Sequence, residues 1–507
     1  MPPQEFVADG GGAGSRGPVS RGRGQLRAAS SRGPWYVRLT MSKRESFSHS
    51  DLRGRSAGLR REFEEKLAAL VEIPSVSMDP ARRADVEEVA HTGCGLLREL
   101  GARSECIKTA GLPLVLGSLV QDPKYPTVTI YNHLDVQPAE ADEWRTPPFK
   151  LVRNGDRWHG RGTTDDKGPA LAALFGARLA LQDGVRLNFQ FLWETEEEMG
   201  SPSFEAALRK LAKGDKQRAP LRTDSIVVSD TQWPQAGRPA IPYGLRGLLG
   251  FCVRLRTGDK DVHSGTTGGA ARNPLGELCA LINDCYDART GRVKIPGFYH
   301  GVRRLSAVER RRLANAGFAR RRFELAHGLS SVRFPDDVRL YAATTTAPTF
   351  EVHGLTGGYS GAGIKTIVPH QAEAKLSCRL VPDQTPERVF RLIERFVRQH
   401  CRDAEVVHEA SLRPYLVDPS GPHLEAAQQA MFEAFGKRPV LTREGGSIGA
   451  VVTMDRVLRA PVVLLGLSLP EHGYHAIDEN FDWGQAGQGM EMFCRYFHKL
   501  ADLPRRS

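Results

Sequence analysis

Four short apolar runs in this chain stop abruptly and give way to acidic or imidazole side chains. Residues 127–130 (Thr-Val-Thr-Ile) alternate β-branched positions and lead into Tyr-Asn-His133-Leu-Asp135-Val-Gln-Pro138. Residues 185–193 alternate apolar and polar, turn wholly apolar, and end in Glu194-Thr-Glu196-Glu197-Glu198-Met-Gly200. Residues 225–228 (Ser-Ile-Val-Val) run into Ser229-Asp230, and residues 461–465 (Pro-Val-Val-Leu-Leu) are followed by His472 and His475. Runs of this length and composition predict buried strands. Helical periods lie between them. Phe63, Leu67, Leu70 and Val71 share one face, residues 86–100 make a helix closed by Gly101, and residues 169–181 make an Ala-rich one. Strand, turn and helix alternate to residue 228, an α/β layer pattern. In open sheets of that class ligands sit beyond the carboxyl ends of the strands, where these acids and imidazoles fall.

The segment Pro242-Tyr-Gly-Leu-Arg-Gly247 punctuates the chain. Residues 248–255 then read as a strand. Asn273-Pro274 supplies an N-cap with Pro at the first helical position, and Leu275, Leu278, Cys279 and Ile282 form the stripe of that helix. Residues 302–322 are polar and Arg-rich and read as a solvated helix. Residues 372–381 alternate as a strand, and Thr385-Pro386-Glu387 opens a helix with Val389, Phe390, Ile393, Phe396 and Val397 inward. The unit 247–412 is thus a self-contained α+β insertion. The expected division is an irregular basic extension over 1–55, an α/β domain with mixed sheet and flanking helices formed by 56–246 and 413–507, and the insertion between them. A chain of 507 residues is long for a single core.

Composition narrows the function. No run approaches 18 apolar residues, which excludes a membrane-spanning helix. The net charge of +11 suggests nucleic acid only until it is mapped: residues 1–50 hold eight Lys/Arg against three acids, and no basic stripe is interleaved with aromatics. The eight cysteines are scattered without a Cys-x-x-Cys pair, as expected of reduced core thiols in a cytoplasmic protein. The first segment lacks the apolar core of a secretory signal. A start at Met41 fits it better than a transit peptide, because it has no helical apolar stripe.

His133 and Asp135, two apart in extended chain, point to one side. An imidazole beside a carboxylate is the pattern of a metal ligand and the partner that orients it. The turn Gly-Arg-Gly162-Thr-Thr-Asp165-Asp166-Lys-Gly168 lets backbone approach a charged centre and presents two more carboxylates. A solvated loop would explain one such stretch, but not four strand ends with the same donors. Oxygen and imidazole donors together suit a divalent ion, zinc or manganese.

His-Leu-Asp-Val-Gln-Pro, Gly-Arg-Gly-Thr-Thr-Asp-Asp-Lys-Gly-Pro, Asp-Val-His263-Ser-Gly and Arg443-Glu-Gly-Gly-Ser447-Ile carry a resemblance that runs from about residue 63 to 497. The chain resembles the dinuclear metallopeptidases that include carnosinase, cytosolic non-specific dipeptidase, glutamate carboxypeptidase and acetylornithine deacetylase, and is most similar to the dipeptidase branch. The resemblance implies two divalent ions, zinc or else manganese or cobalt. Asp165 would bridge them, with His133 and Asp230 completing one site and Glu198 and His475 the other. It implies that Asp135 holds the His133 ring, that Glu197 is the general base, and that the Asp165–Asp166 peptide is cis. It makes His263 a residue that crosses from a dimer partner to the oxyanion. Arg379 would bind the substrate's terminal carboxylate by its planar fork, and Ser447 would clamp the same end. The insertion becomes a lid and dimerisation domain.

Two choices rest on motif alone. Register does not decide among Glu196, Glu197 and Glu198; the spacing Glu-Glu-x-Gly does, with Met199 standing where many relatives have Ser or Thr. His472 competes with His475, and the downstream Asp478-Glu479 favours His475. One departure bears on the pocket: where eukaryotic dipeptidases carry His-Gly-Gly-Lys-Pro-Trp, this chain has Ala410 at the His position, with His408 nearby. The expected activity is hydrolysis of dipeptides or short peptides. The alternatives are an N-acyl-amino-acid amidohydrolase on the same site and a non-catalytic binding protein on a degenerate fold.

Overall fold

Alternation within each buried strand decides which helices cover which face of the central sheet. Its six strands lie in the order Arg103–Ile107, Leu114–Leu119, Asn188–Glu194, Thr127–His133, Ser225–Val228, Val462–Leu464. The last four are parallel, and the first two form an antiparallel pair on the Asn188–Glu194 side. Val128, Ile130, Phe189, Phe191, Trp193, Val227 and Val463 face one core. Their neighbours Tyr131, Leu192, Ile226, Val228 and Leu464 face the other. Both faces are covered, so the strands read as continuous apolar runs. Helices Arg60–Val71, Arg83–Glu99, Lys167–Gln182, Pro422–Phe435 and Trp483–Ala501 pack on the first face. Helices Phe204–Lys213 and Gly449–Leu458 pack on the second.

The computed structural model describes residues 49–216 and 218–505; residues 1–48 of the basic extension lie outside the described residues. The described residues, from His49 onward, belong to one compact unit. Within it a second sheet, wholly antiparallel, orders its strands Glu351–Gly357, Gln371–Leu380, Gly247–Arg256, Glu405–Leu412. Leu249, Phe251, Val253 and Leu255 project from it into a separate core, where helices Pro274–Cys285 and Pro386–His400 supply Leu278, Leu281, Val389 and Ile393.

Three expectations are corrected. Helical structure begins at His49, inside the stretch read as irregular, because Leu52 and Ser56 of His49–Gly58 dock on the body of the protein, with the Ser56 hydroxyl donating to Glu491. Tertiary docking stabilises a helix whose own period is weak. Cys279 is exposed, and the buried stripe of its helix is Pro274, Leu278, Leu281 and Cys285, one step round the axis. The Arg-rich stretch is two helices, Ala307–Asn315 and Arg320–Ala326, broken at Gly317 with φ +81°. Ser306 and Glu309 cap the first reciprocally.

Phe63 anchors the first core, its ring centroid 5.4 Å from Trp158, 5.6 Å from Phe175 and 6.2 Å from Trp483. Phe63→Ala leaves a cavity no neighbour fills and is expected to cost about 3–5 kcal/mol. Urea denaturation would read this as a lower midpoint with an unchanged slope.

Candidate metal centre and active site

The parallel strands end on one edge, and the donors converge there. His133 is the last residue of Thr127–His133 and is 1% exposed. Its Nδ1 lies 3.1 Å from the Asp135 carbonyl oxygen and 3.4 Å from Asp135 Oδ1. Its Nε2 lies 3.0 Å from Asp165 Oδ1 and 3.8 Å from Asp230 Oδ2. The other oxygen of Asp165, Oδ2, lies 3.1 Å from His475 Nε2, which is also 3.2 Å from Glu198 Oε2. Asp165 therefore stands between two groups, His133/Asp165/Asp230 and Asp165/Glu198/His475, and in each the donor atoms lie within 4.8 Å of one another. The Asp165–Asp166 peptide is cis.

These donors fit two divalent cations. Asp165 Oδ2 is sealed from solvent and accepts no hydrogen bond, though an imidazole nitrogen faces it. Lone pairs pointing at one another across such a gap are what a shared cation satisfies. Electrostatics agree. Burial, then the Asp165 and Glu198 charges, push the Asp230 carboxyl up to about 7, with His133 opposing. Burial likewise holds Glu197 well above the carboxylate range; Asp230, Glu198 and Glu194 add to it, and His133 opposes. Burial works against ionisation of Asp165 as well, but the contacts of His133 and His475 outweigh it and hold that carboxyl low.

The acidic turn after Asn188–Glu194 sorts its four carboxylates. Glu194 accepts from Tyr131 and from Ser201 Oγ at 2.9 Å. Glu196 accepts from the Ser203 and Leu112 amides. Both are thereby turned into the surrounding structure. Glu198 faces His475, and Glu197 lines a cavity of about 710 Å³ together with Asp165, Asp230 and His475. His472 is fully buried; its Nδ1 accepts from the Leu469 amide and its Nε2 lies 2.9 Å from Asp482 Oδ2, so it braces the loop below the donors.

Arg379 and Ser447 line the same cavity, the guanidinium Nη1 donating to Ser447 Oγ at 3.0 Å. Arg379 lies on an interior strand of the second sheet. His263 is not brought to the cavity within one chain. It is exposed on the short strand Val262–His263, and its Nδ1 accepts from the Gly265 amide. Ala410 and His408 lie on the edge strand Glu405–Leu412, away from the cavity lining, with His408 against Phe390.

Several residues that shape the site were not legible in the sequence. The Asp135 carboxylate accepts from Ser77 Oγ at 2.7 Å and from the amides of Glu197 and Glu198 at 3.2 and 3.0 Å, so this one residue orients the imidazole through its carbonyl and the acidic turn through its side chain. Buried Glu479 accepts from the amides of Gly162, Thr164 and Asp165 and from Arg161, and so holds the Asp165 turn. That turn requires glycine at 168, where a Cβ would meet the Thr163 carbonyl at 2.1 Å. Tyr474 donates to Asp230 at 3.1 Å and Gln137 to Glu198 at 2.6 Å. Arg246 donates to the Gly445 carbonyl and fixes the segment that carries Ser447. Phe318 and Arg322, from the stretch read as solvated, and Phe323 just beyond it form one wall of the cavity. Only the adjacency of Glu479 to the His475 motif offered a signal.

Fold and donor set together define a metal-dependent hydrolase of the α/β class. The chain belongs to peptidase family M20/M25/M40, whose sequence model matches residues 129–499. It is 32% identical over 463 residues to the Cys-Gly metallodipeptidase dug1 of Schizosaccharomyces pombe, covering 87% of this chain and 96% of that protein. It is 30% identical to the Beta-Ala-His dipeptidase of Rattus norvegicus over 468 residues, covering 87% of this chain and 93% of the relative. The solved structure of the dipeptidase Dug1p of Saccharomyces cerevisiae matches with a TM-score of 0.82 at 27% identity, over 90% of this chain and 99% of that one.

Removing the shared anchor should loosen both halves of the centre at once. Asp135→Ala is expected to weaken metal affinity by about 10–100-fold, measured by competition with a chromophoric chelator. An affinity equal to wild type would show that the donors keep their places without the Asp135 carboxylate and its bonds to the Glu197 and Glu198 amides.

Proposed function

We propose that this protein is a dinuclear metal-dependent dipeptidase that cleaves the peptide bond of dipeptides or short peptides. The observation that carries the reading is the placement of Asp165, each of whose oxygens addresses a different imidazole, with Asp230 completing one group and Glu198 the other. The three similar proteins above are all named as dipeptidases, which favours dipeptides over N-acyl amino acids. The complete donor set argues against a binding protein on a degenerate fold.

His133, Asp165 and Asp230 would hold one ion, and Asp165, Glu198 and His475 the other; zinc suits this mixture of oxygen and imidazole donors. Bound there, the ions supply Lewis-acid polarisation of the scissile carbonyl and lower the pKa of an attacking water. The residues of the chain do the rest. Asp135 sets the tautomer of His133, its carbonyl accepting from Nδ1 so that the Nε2 lone pair faces the centre. Glu197 takes the proton of the water on its carboxylate and passes it to the leaving amine. Arg379 and Ser447 hold the substrate's terminal carboxylate, their mutual hydrogen bond keeping both donors on one spot. The insertion 247–412 serves as lid and dimerisation domain, and in the homodimer His263 of each chain reaches the oxyanion of the other; its exposure on the single chain supports that role. The eight cysteines are free, in keeping with a reducing, cytoplasmic setting. Among the described residues no helix is long and apolar enough to cross a membrane.

Glu197→Ala should retain its metal and lose turnover by at least about 100-fold; metal analysis beside a dipeptide assay checks this, and loss of the metal instead would mean the base is another carboxylate. A panel of dipeptides and matched N-acyl amino acids should show turnover of the dipeptides; preference for the acyl compounds overturns the substrate assignment. His263→Ala should lower the rate by about 100-fold at unchanged metal content, and a rate near wild type would remove it from the reaction.

A further inference from the structure

A second cluster of metal-ligating side chains lies at the far end of the helix that begins beside Asp166. Cys494 and His498 are four residues apart on Trp483–Ala501, the spacing that stacks two side chains on one face. Asp183 caps the C-terminus of Lys167–Gln182, which packs along the same helix. Asp183 Oδ2 is 3.7 Å from Cys494 Sγ and 3.7 Å from His498 Nε2, and donor atoms of the three residues all lie within 4.8 Å of one another. A tetrahedral zinc with ordinary bond lengths sets such atoms about 3.4–3.6 Å apart, so the two distances to Asp183 need contract by only a few tenths of an ångström. A helix of 16 residues spans about 24 Å, which removes this cluster from the catalytic edge.

We infer that Asp183, Cys494 and His498 form a separate binding site for a thiophilic divalent cation of the zinc class. A thiol with an imidazole and one carboxylate selects zinc over magnesium, calcium or manganese, which prefer oxygen alone. Arg55 is bound to Asp183 Oδ1 and also donates to the Gln182 side chain at 3.3 Å and the Leu179 carbonyl at 3.4 Å, so it orients the carboxylate and leaves Oδ2 to the cluster. Asp183 and Cys494 are almost wholly buried, whereas the His498 side chain is 34% exposed. An ion enters on that side, and a water completes its fourth position. Burial and the Asp183 charge raise the Cys494 thiol above its ordinary range, so it carries its proton in the ion-free protein. Binding forms the metal–sulfur bond and releases that proton to solvent. An ion held here joins the C-terminal helix to Lys167–Gln182 and, through Arg55, to His49–Gly58.

The test uses Co(II) on the full chain. The catalytic donors are oxygen and imidazole only, so they give no sulfur-to-cobalt charge-transfer absorption whatever their occupancy. Wild type is expected to bind a cobalt ion with that near-ultraviolet band and to release a proton as it does so. Cys494→Ser and His498→Ala should lose the band, and Glu198→Ala should keep it. The proposal is overturned by absence of the band in saturated wild type, by its appearance without proton release, or by its survival in Cys494→Ser. The first two measurements need no variant, so they decide even if the substitutions fail to fold.

Discussion

Burial of negative charge around Asp165 is the constraint on which the rest of this structure depends. Asp165, Glu197 and Asp230 line one cavity, with Glu198 grouped beside Asp165 and His475, and isolated ionised carboxylates removed from water cost far more than a folded protein can tolerate. Two imidazoles touch Asp165, yet one of its oxygens is left without a hydrogen bond. Only further positive charge balances such a centre. That requirement explains why the donors come in two sets around a common carboxylate, and why the bracing residues are themselves so thoroughly hydrogen-bonded.

The architecture meets the requirement by drawing on segments far apart in the chain. Parallel strands align their carboxyl ends, so groups that follow different strands meet without long loops. Precision then comes from two buried carboxylates that touch no substrate. Asp135 ties the His133 strand end to the amides of Glu197 and Glu198, and Glu479 ties the Asp165 turn to the C-terminal segment. In both cases an acid is spent on backbone N–H groups, a charge-assisted bond stronger than a neutral one.

What could be read from the sequence was local. The strands over 127–133, 188–194 and 225–228 announce themselves by β-branched and aromatic residues, with apolar side chains on both faces because both faces of the sheet are covered. The convergence of residues 133, 165, 198, 230 and 475 followed from motif order. The contacts of Glu479, Tyr474, Gln137 and Ser77 did not, since a hydrogen bond across hundreds of residues leaves no period in the chain. The stretch around Phe318 misled for a related reason: its arginines suggest solvent, but Arg312 and Arg443 both lie against the ring of Tyr243, and Arg443 also pairs with Glu309 of Ala307–Asn315. Cation–π and ion-pair contacts of that kind attach a charged segment to a cavity wall without an apolar stripe.

The hold of Glu479 on the turn at Gly162–Asp165 has a temporal corollary. His475 and Glu479 follow the turn and the other donors by hundreds of residues. A nascent chain can lay down most of its central sheet, yet it has neither the fifth donor nor the carboxylate that shapes the turn until that later segment is made. The centre is therefore latent through much of translation.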